Sequence, residues 1–331
     1  MPDNSVTTHG LTKVFGQFPA VDTLNLGVKG GELFGLLGPN GAGKTTTVRM
    51  LCTLIEPTSG TAEVGGYDIR ENPAAVRRSI GVVSEGVSLY KDLTIEENLK
   101  LLGTLYDIPH ARAERRINEL MEMFSFREKS KRLVGALSTG WAKKAMICAA
   151  MLHDPSILFL DEVTSGLDPQ SAIALQEFTK SLCKQGVTVI WTTHYMTEPE
   201  KICDRVGIMF GGRLVNVGTP YELRHSVSEL STIEVETPDL SEKQLHELEG
   251  KFQSLMNLHA CTYEDPLLVV TCSQSDELVK NVVDALVTVG ARINGIQRKE
   301  PTLEEAFIAL TGGEDEIDRF LESGEQKKQS P

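Results

Sequence analysis

The sequence predicts an α/β fold built around a phosphate loop, followed by a smaller α+β domain of ferredoxin-like order. Three observations predict it. Short apolar, β-branched runs alternate with helical periodicity through the first 225 residues, the pattern of strands and helices stacked in layers. A glycine-rich string ending in Lys-Thr sits where one such run turns into a helix. Beyond about 225 the order becomes strand, helix, strand, strand, helix, strand, and the net charge of −13 falls almost wholly on residues 226–331. With 331 residues there is room for two domains, expected at 1–225 and 226–312 with an acidic tail at 313–331.

The elements follow in order. Residues 20–37 are β-rich and end in LFGLL, a buried strand running into glycine. The next stretch, TTTVRMLCTLI, carries Val48, Leu51, Cys52 and Ile55 on one helical face. EPTSG and VGGYDI supply turns around a short strand. From 94 to 150 the pattern is helical, opened by Thr94 and Glu97 at capping-box spacing. SILFLDE and GVTVIWTTH read as buried parallel strands separated by a helix at 169–184. In the last third, Leu278, Val279, Val282, Val283 and Leu286 form an apolar stripe expected to cover a sheet, and a closing helix begins at the capping box of Thr302 and Glu305. Six acidic residues between 314 and 325 mark a solvated, frayed end.

Composition excludes several classes. Apolar residues make up 40% and charged residues 24%, a globular balance, and no apolar run approaches the roughly 18 residues that span a bilayer. The six cysteines are scattered without metal-ligand spacing, as free thiols in a reducing compartment. An acidic chain without a dense basic stripe is a poor binder of nucleic-acid backbone, so no nucleic-acid partner is expected.

The chemistry concentrates in two strings. Gly38, Pro39, Asn40, Gly41, Ala42, Gly43, Lys44 and Thr45 match GxxxxGK[ST] between a strand and a helix, with Thr46 next in line. Backbone N–H groups there close around phosphate oxygens, Lys44 reaches the terminal phosphates, and the Thr45 hydroxyl ligates Mg²⁺. The strand ILFLDE ends in two carboxylates with different expected roles: Asp161 holds Mg²⁺ through water and Glu162 polarises the attacking water as general base.

Between these strings lies LSTGWAKK at 137–144, and with it the chain resembles the ATP-binding subunits of ABC transporters, especially sodium-efflux and multidrug-type exporters with an STG variant of the signature. The resemblance spans about 5–220. It implies an ABC-type P-loop NTPase with a RecA-like core, an antiparallel β subdomain and a helical subdomain at about 88–150, using ATP and Mg²⁺. It also implies roles. Phe15 stacks on adenine, with a buried core phenylalanine as the alternative. Ser138, Thr139 and Gly140 open a helix that meets the nucleotide of the opposite subunit. Asp168 belongs to the loop that communicates between subunits, and His194 contacts the γ-phosphate.

Three departures stand out. Glu85 occupies the position of a metal-contacting Gln, and Thr139 and Trp141 replace a glycine and the terminal Gln of the signature. The Trp141 ring either stacks on ribose or packs on its own helix, the latter favoured. Val163 replaces a common Pro. The resemblance therefore implies a homodimer around two Mg-ATP, coupled through a groove near residues 85–105 to separate transmembrane permease subunits, at the inner face of the cell membrane. A soluble ABC ATPase acting on nucleic acid or the ribosome is the alternative; a P-loop kinase or GTPase is disfavoured by the signature and His194. The C-terminal domain is open between a dimerisation module, a small-molecule sensor and a spacer.

Overall fold

The structure is a computed structural model and describes residues 4–84, 88–226, 230–256, 258–273 and 277–312. Glu85 and the expected acidic tail at 313–331 lie outside the described residues. The chain divides into two compact units, one running to Pro220 and including Thr311 onward, the other Tyr221–Leu310.

The first unit opens with strands β1 (Asn4–Phe15), β2 (Phe18–Leu24) and β3 (Gly27–Lys29), then β4 (Leu33–Leu37) and helix α1 (Lys44–Leu51). β5 (Ser59–Val64), β6 (Tyr67–Asp68), α2 (Pro73–Ser79) and β7 (Ile80–Val83) follow. Then come α3 (Ile95–Leu105), α4 (His110–Met123) and α5 (Thr139–Ala150), and after them β8 (Ile157–Asp161), α6 (Pro169–Lys184), β9 (Thr188–Thr193), α7 (Thr197–Ile202), β10 (Arg205–Phe210) and β11 (Arg213–Gly218); α8 (Pro220–His225) starts at the division, and all of it but Pro220 belongs to the second unit.

Two sheets organise this unit. One runs β2-β1-β5-β6, antiparallel, with β3 also on β1. The other runs β11-β10-β4-β9-β8-β7; all its pairings are parallel except the edge hairpin β10–β11. The central strands β4, β8 and β9 are buried at every residue, as strands covered on both faces require. Val48, Leu51 and Cys52 of the α1 stripe are buried in the core with Phe34, Leu36 and Phe159, and Ile55 packs beside them after the helix has ended. The helical stretch expected at 94–150 is three helices, interrupted by two 3-10 turns between Arg127 and Ala136. Thr94 and Glu97 form the complete capping box of α3.

The second unit continues with β12 (Leu230–Glu236), α9 (Glu242–Met256), β13 (Leu258–Glu264), β14 (Leu267–Ser273), α10 (Leu278–Thr288), β15 (Gly295–Lys299) and α11 (Leu303–Leu310). Its four strands pair in the order β13-β14-β12-β15, all antiparallel. Ile233, Val235, Leu268 and Val270 of the sheet meet Leu248 and Phe252 of α9 and Leu278, Val282, Ala285 and Leu286 of α10 in one core. The stripe on α10 is therefore turned slightly from the expected one: Val279 is exposed and Val283 half-buried, because Ala285 takes the inner face. Thr302 and Glu305 exchange the hydrogen bonds of a capping box at the start of α11.

Candidate active site

Three adjacent strands end at one edge of the parallel sheet, and each delivers chemistry there. β4 runs into the loop 38–43, β8 ends in Asp161 followed by Glu162, and β9 is followed by His194. Ligands of open α/β sheets bind at such carboxyl ends. Gly43 joins the loop to α1 with φ of 104°, and a Cβ there would lie 2.4 Å from the Ala20 carbonyl oxygen, so only glycine fits. Within the loop Gly38 and Ala42 are buried, Pro39 is half-buried, and Asn40 and Gly41 are exposed; Thr45 and Thr46 in the first turn of α1 are half-buried.

Lys44 is 4% exposed. Its Nζ donates to the carbonyls of Gly38 (2.7 Å) and Pro39 (3.0 Å) and pairs with Glu162 Oε1 at 3.3 Å. Burial pushes the ammonium pKa below the ordinary lysine range, partly offset by the neighbouring Glu162 and Asp161 carboxylates. Glu162 has a left-handed backbone, φ 50°, rare for a side chain larger than Asn and frequent at functional sites. Its N–H is fixed on the Thr192 carbonyl and hydroxyl, while its Oε2 lies 3.2 Å from His194 Nδ1. The Glu162 carboxylate thus bridges the phosphate-loop lysine and the histidine after β9.

Asp161 is buried at the end of β8, accepting from the hydroxyls of Thr45 (3.2 Å) and Thr192. A hard divalent cation takes oxygen ligands and, when it is Mg²⁺, needs one or two carboxylates beside phosphate and water. The converging Thr45 hydroxyl and Asp161 carboxylate fit that donor set. Val163 is fully buried beneath this turn.

The signature residues gather elsewhere on the same unit. Ser138 is the N-cap residue of α5, with Thr139 and Gly140 in its first turn. Gly140 faces Ser171 of α6 so closely that a Cβ would meet its Oγ at 2.7 Å. Asp168 caps α6, accepting from the Ser171 N–H at 3.0 Å and its hydroxyl at 2.6 Å; these bonds hold its carboxyl below the usual range. The two helix starts border a cavity of about 360 Å³. The half-buried Trp141 packs against Phe126, ring centroids 5.4 Å apart, with the Lys129 and Lys144 ammonium groups over its faces. Phe15, at the end of β1, is 52% exposed, so the core alternative is overturned; Lys13 Nζ lies 5.1 Å from its ring.

Sequence reasoning missed the layer beneath. Thr192 ties Asp161 and the Glu162 backbone to β9, and Thr193 Oγ1 accepts the Tyr195 N–H just after His194. Buried Glu198 on α7 takes hydrogen bonds from Trp191 Nε1 (3.3 Å) and Gln176 Nε2 (3.4 Å), anchoring the segment on both sides of His194. The signal was the polar TTH at the end of an apolar strand, since buried hydroxyls require partners.

A family profile described as ABC transporter matches residues 21–165. The chain is similar to the linearmycin resistance ATP-binding protein LnrL of Bacillus subtilis, 34% identical over 91% of this chain and 96% of the relative. It is also similar to the daunorubicin/doxorubicin resistance ATP-binding protein DrrA of Streptomyces peucetius, 33% identical over 99% of this chain and 98% of that one. Among solved structures, an ATP-binding subunit of an ABC transporter matches with TM-score 0.60 and 30% identity, covering 67% of this chain and 92% of its own. CbiO1 from Clostridium perfringens, part of the transporter complex cbiONQ, matches with TM-score 0.62 and 25% identity over 67% of this chain and 90% of its own.

Proposed function

Because the chain belongs to the ATP-binding proteins of ABC transporters, a family of ATPases, we propose that it powers export of an organic, drug-like solute through separate transmembrane permease subunits. The observation that carries the reading is the convergence of Lys44, Thr45, Asp161, Glu162 and His194 at the ends of three neighbouring strands. Full-length likeness to proteins named for linearmycin and daunorubicin resistance supports the export reading over a soluble ATPase acting on nucleic acid.

The residues act in a defined order. Lys44 neutralises the terminal phosphates, and in doing so it exchanges the Glu162 carboxylate for phosphate oxygen as its anionic partner. Glu162, released from Lys44 but still within reach of His194, takes a proton from the water whose oxygen attacks the γ-phosphorus as the bond to the β-phosphate oxygen breaks. His194 orients that water and the γ-phosphate. Thr45 and Asp161 would hold Mg²⁺, which supplies charge neutralisation on the phosphates. The loop residues Gly38, Pro39, Asn40, Gly41, Ala42, Gly43 and Thr46 cradle the phosphates, and exposed Phe15 offers its ring to adenine. Ser138, Thr139, Gly140 and Asp168 of a second copy complete the site, giving a homodimer around two nucleotides with permeases docked near residues 85–105.

The protein then sits at the inner face of the membrane through its partners, since among the described residues no helix is long and apolar enough to cross a bilayer. The second unit reads as a ferredoxin-like accessory domain, supported by its βαββαβ order and fully antiparallel β13-β14-β12-β15 sheet. The test is Glu162→Gln: nucleotide affinity is retained, and single-turnover hydrolysis falls by about 10²–10⁴-fold, the usual share of a positioned general base. Undiminished hydrolysis would remove Glu162 from the chemistry.

A further inference from the structure

Away from the nucleotide chemistry, a cavity of about 390 Å³ opens between the end of α2, the α3–α4 corner, α4 and the loop from α5 to β8. Four arginines and no lysine line it: Arg78 on α2, and Arg112, Arg115 and Arg116 on α4. The α4 arginines are spaced three and four residues apart, so they share one face of the helix and repel one another. Arg116 is engaged, donating to Asp154 (3.1 Å), Glu119 (3.2 Å) and the Met151 carbonyl (3.3 Å). Arg78, Arg112 and Arg115 have no carboxylate within ion-pair reach among the described residues. Asp107 is the one lining acid outside the Arg116 cluster, and with Glu119 and Asp154 counted the four arginines still leave the lining one positive charge in excess on a chain of net charge −13.

The floor is aromatic. Tyr106 stacks on His153, with ring centroids 4.4 Å apart and planes inclined by 19°, and His153 Nε2 bonds the Ile80 carbonyl at 2.8 Å. Burial lowers the His153 pKa, so the ring contributes no charge near neutrality. Arg116 Nε is buried without a hydrogen-bond partner, so this corner holds a donor that the chain itself does not use.

We propose that this cavity binds a phosphomonoester dianion. Guanidinium groups present planar forks that match tetrahedral oxyanions bidentately, whereas lysine offers only a point charge. Three guanidiniums without a carboxylate partner outnumber the two oxygens of a carboxylate, whereas a phosphomonoester offers three acceptor oxygens and about −1.5 to −2 charges at neutral pH. The same chemistry is available from a free small phosphate or from the headgroup of phosphatidic acid.

The test uses the full chain with its phosphate loop filled by saturating Mg²⁺ and a non-hydrolysable ATP analogue. Inorganic phosphate is then titrated calorimetrically. A saturable second site is expected, weakened at least about tenfold in Arg112→Gln/Arg115→Gln and measurably in Arg78→Gln alone, with analogue affinity and melting temperature unchanged as evidence of folding. Sedimentation with phosphatidylcholine vesicles, with and without phosphatidic acid, identifies the source. Phosphatidic-acid-dependent binding that phosphate competes away assigns the headgroup; phosphate binding without vesicle binding assigns a free ligand. The proposal is overturned if neither probe binds, if the substitutions leave binding unchanged, or if a polyglutamate peptide is bound in preference to phosphate.

Discussion

If Lys44 holds the nucleotide phosphates as proposed, nucleotide binding is sensitive to pH. Its burial depresses the ammonium pKa, and an arriving phosphate restores the charged form. Nucleotide binding therefore takes up a proton above the lowered value, and affinity falls as pH rises, beginning below the ordinary lysine value near ~10.4. Calorimetry in buffers of different ionisation enthalpy reads that uptake directly. The sign for folding is opposite: a lysine with a lower pKa folded than unfolded binds fewer protons in the native state, so stability without nucleotide rises with pH across the same window. Gly140 makes a second case at this scale. Gly140→Ala drives a Cβ against the Ser171 side chain, 2.7 Å from its Oγ and 2.8 Å from its Cβ, and separates the starts of α5 and α6. We expect ATP-dependent pairing, followed by light scattering, to be lost while one-chain nucleotide binding persists, and Ser171→Gly to restore pairing. Lys44, Thr45, Asp161 and Glu162 could be read from the sequence because they lie in two contiguous strings. Thr192 and Glu198 could not, since their roles depend on which strands and helices become neighbours.

Among the elements, legibility followed burial and length. β4, β8 and β9 are short apolar runs buried on both faces, and α6 occupies Pro169–Lys184 with Asp168 as its cap, so local pattern and fold agreed. β1 was not legible: its residues NSVTTHGLTKVF mix threonine, glycine and histidine, and it becomes a twelve-residue strand because β2, β3 and β5 pair along it. The interruption after α4 was hidden because Phe124 and Phe126 continue the apolar pattern into a turn, where both are fully buried. In the second unit, α9 contributes the fully buried Phe252 to the core beneath the sheet. Phe252→Ala is expected to destabilise this unit by about 3–5 kcal/mol, read by denaturant unfolding. Nucleotide affinity should stay unchanged, since every phosphate-contacting candidate belongs to the other unit.

For the whole molecule, the division between Pro220 and Tyr221 separates the strand ends of the candidate site from a unit with its own closed core. Deleting 226–331, which removes the second unit except residues 221–225 together with the residues from Thr311 that group with the first, should leave ATP binding within about twofold of the full chain while altering pairing or its regulation; loss of nucleotide affinity in the truncated protein would refute that independence. The acidic balance of the last third leaves with it, so the remaining protein should be far less anionic in electrophoresis.

The chain has two tryptophans, and one lies beside each half of the proposed site. Trp191 is sealed in β9 three residues before His194, its indole N–H held by Glu198; Trp141 lies half-buried beside Gly140 under two lysine ammonium groups. Their surroundings differ in polarity and in nearby charge, so their emission bands are expected to separate. The molecule thus carries an intrinsic optical reporter on the histidine side and another on the signature side, and single replacements by phenylalanine would let each be watched alone through a turnover.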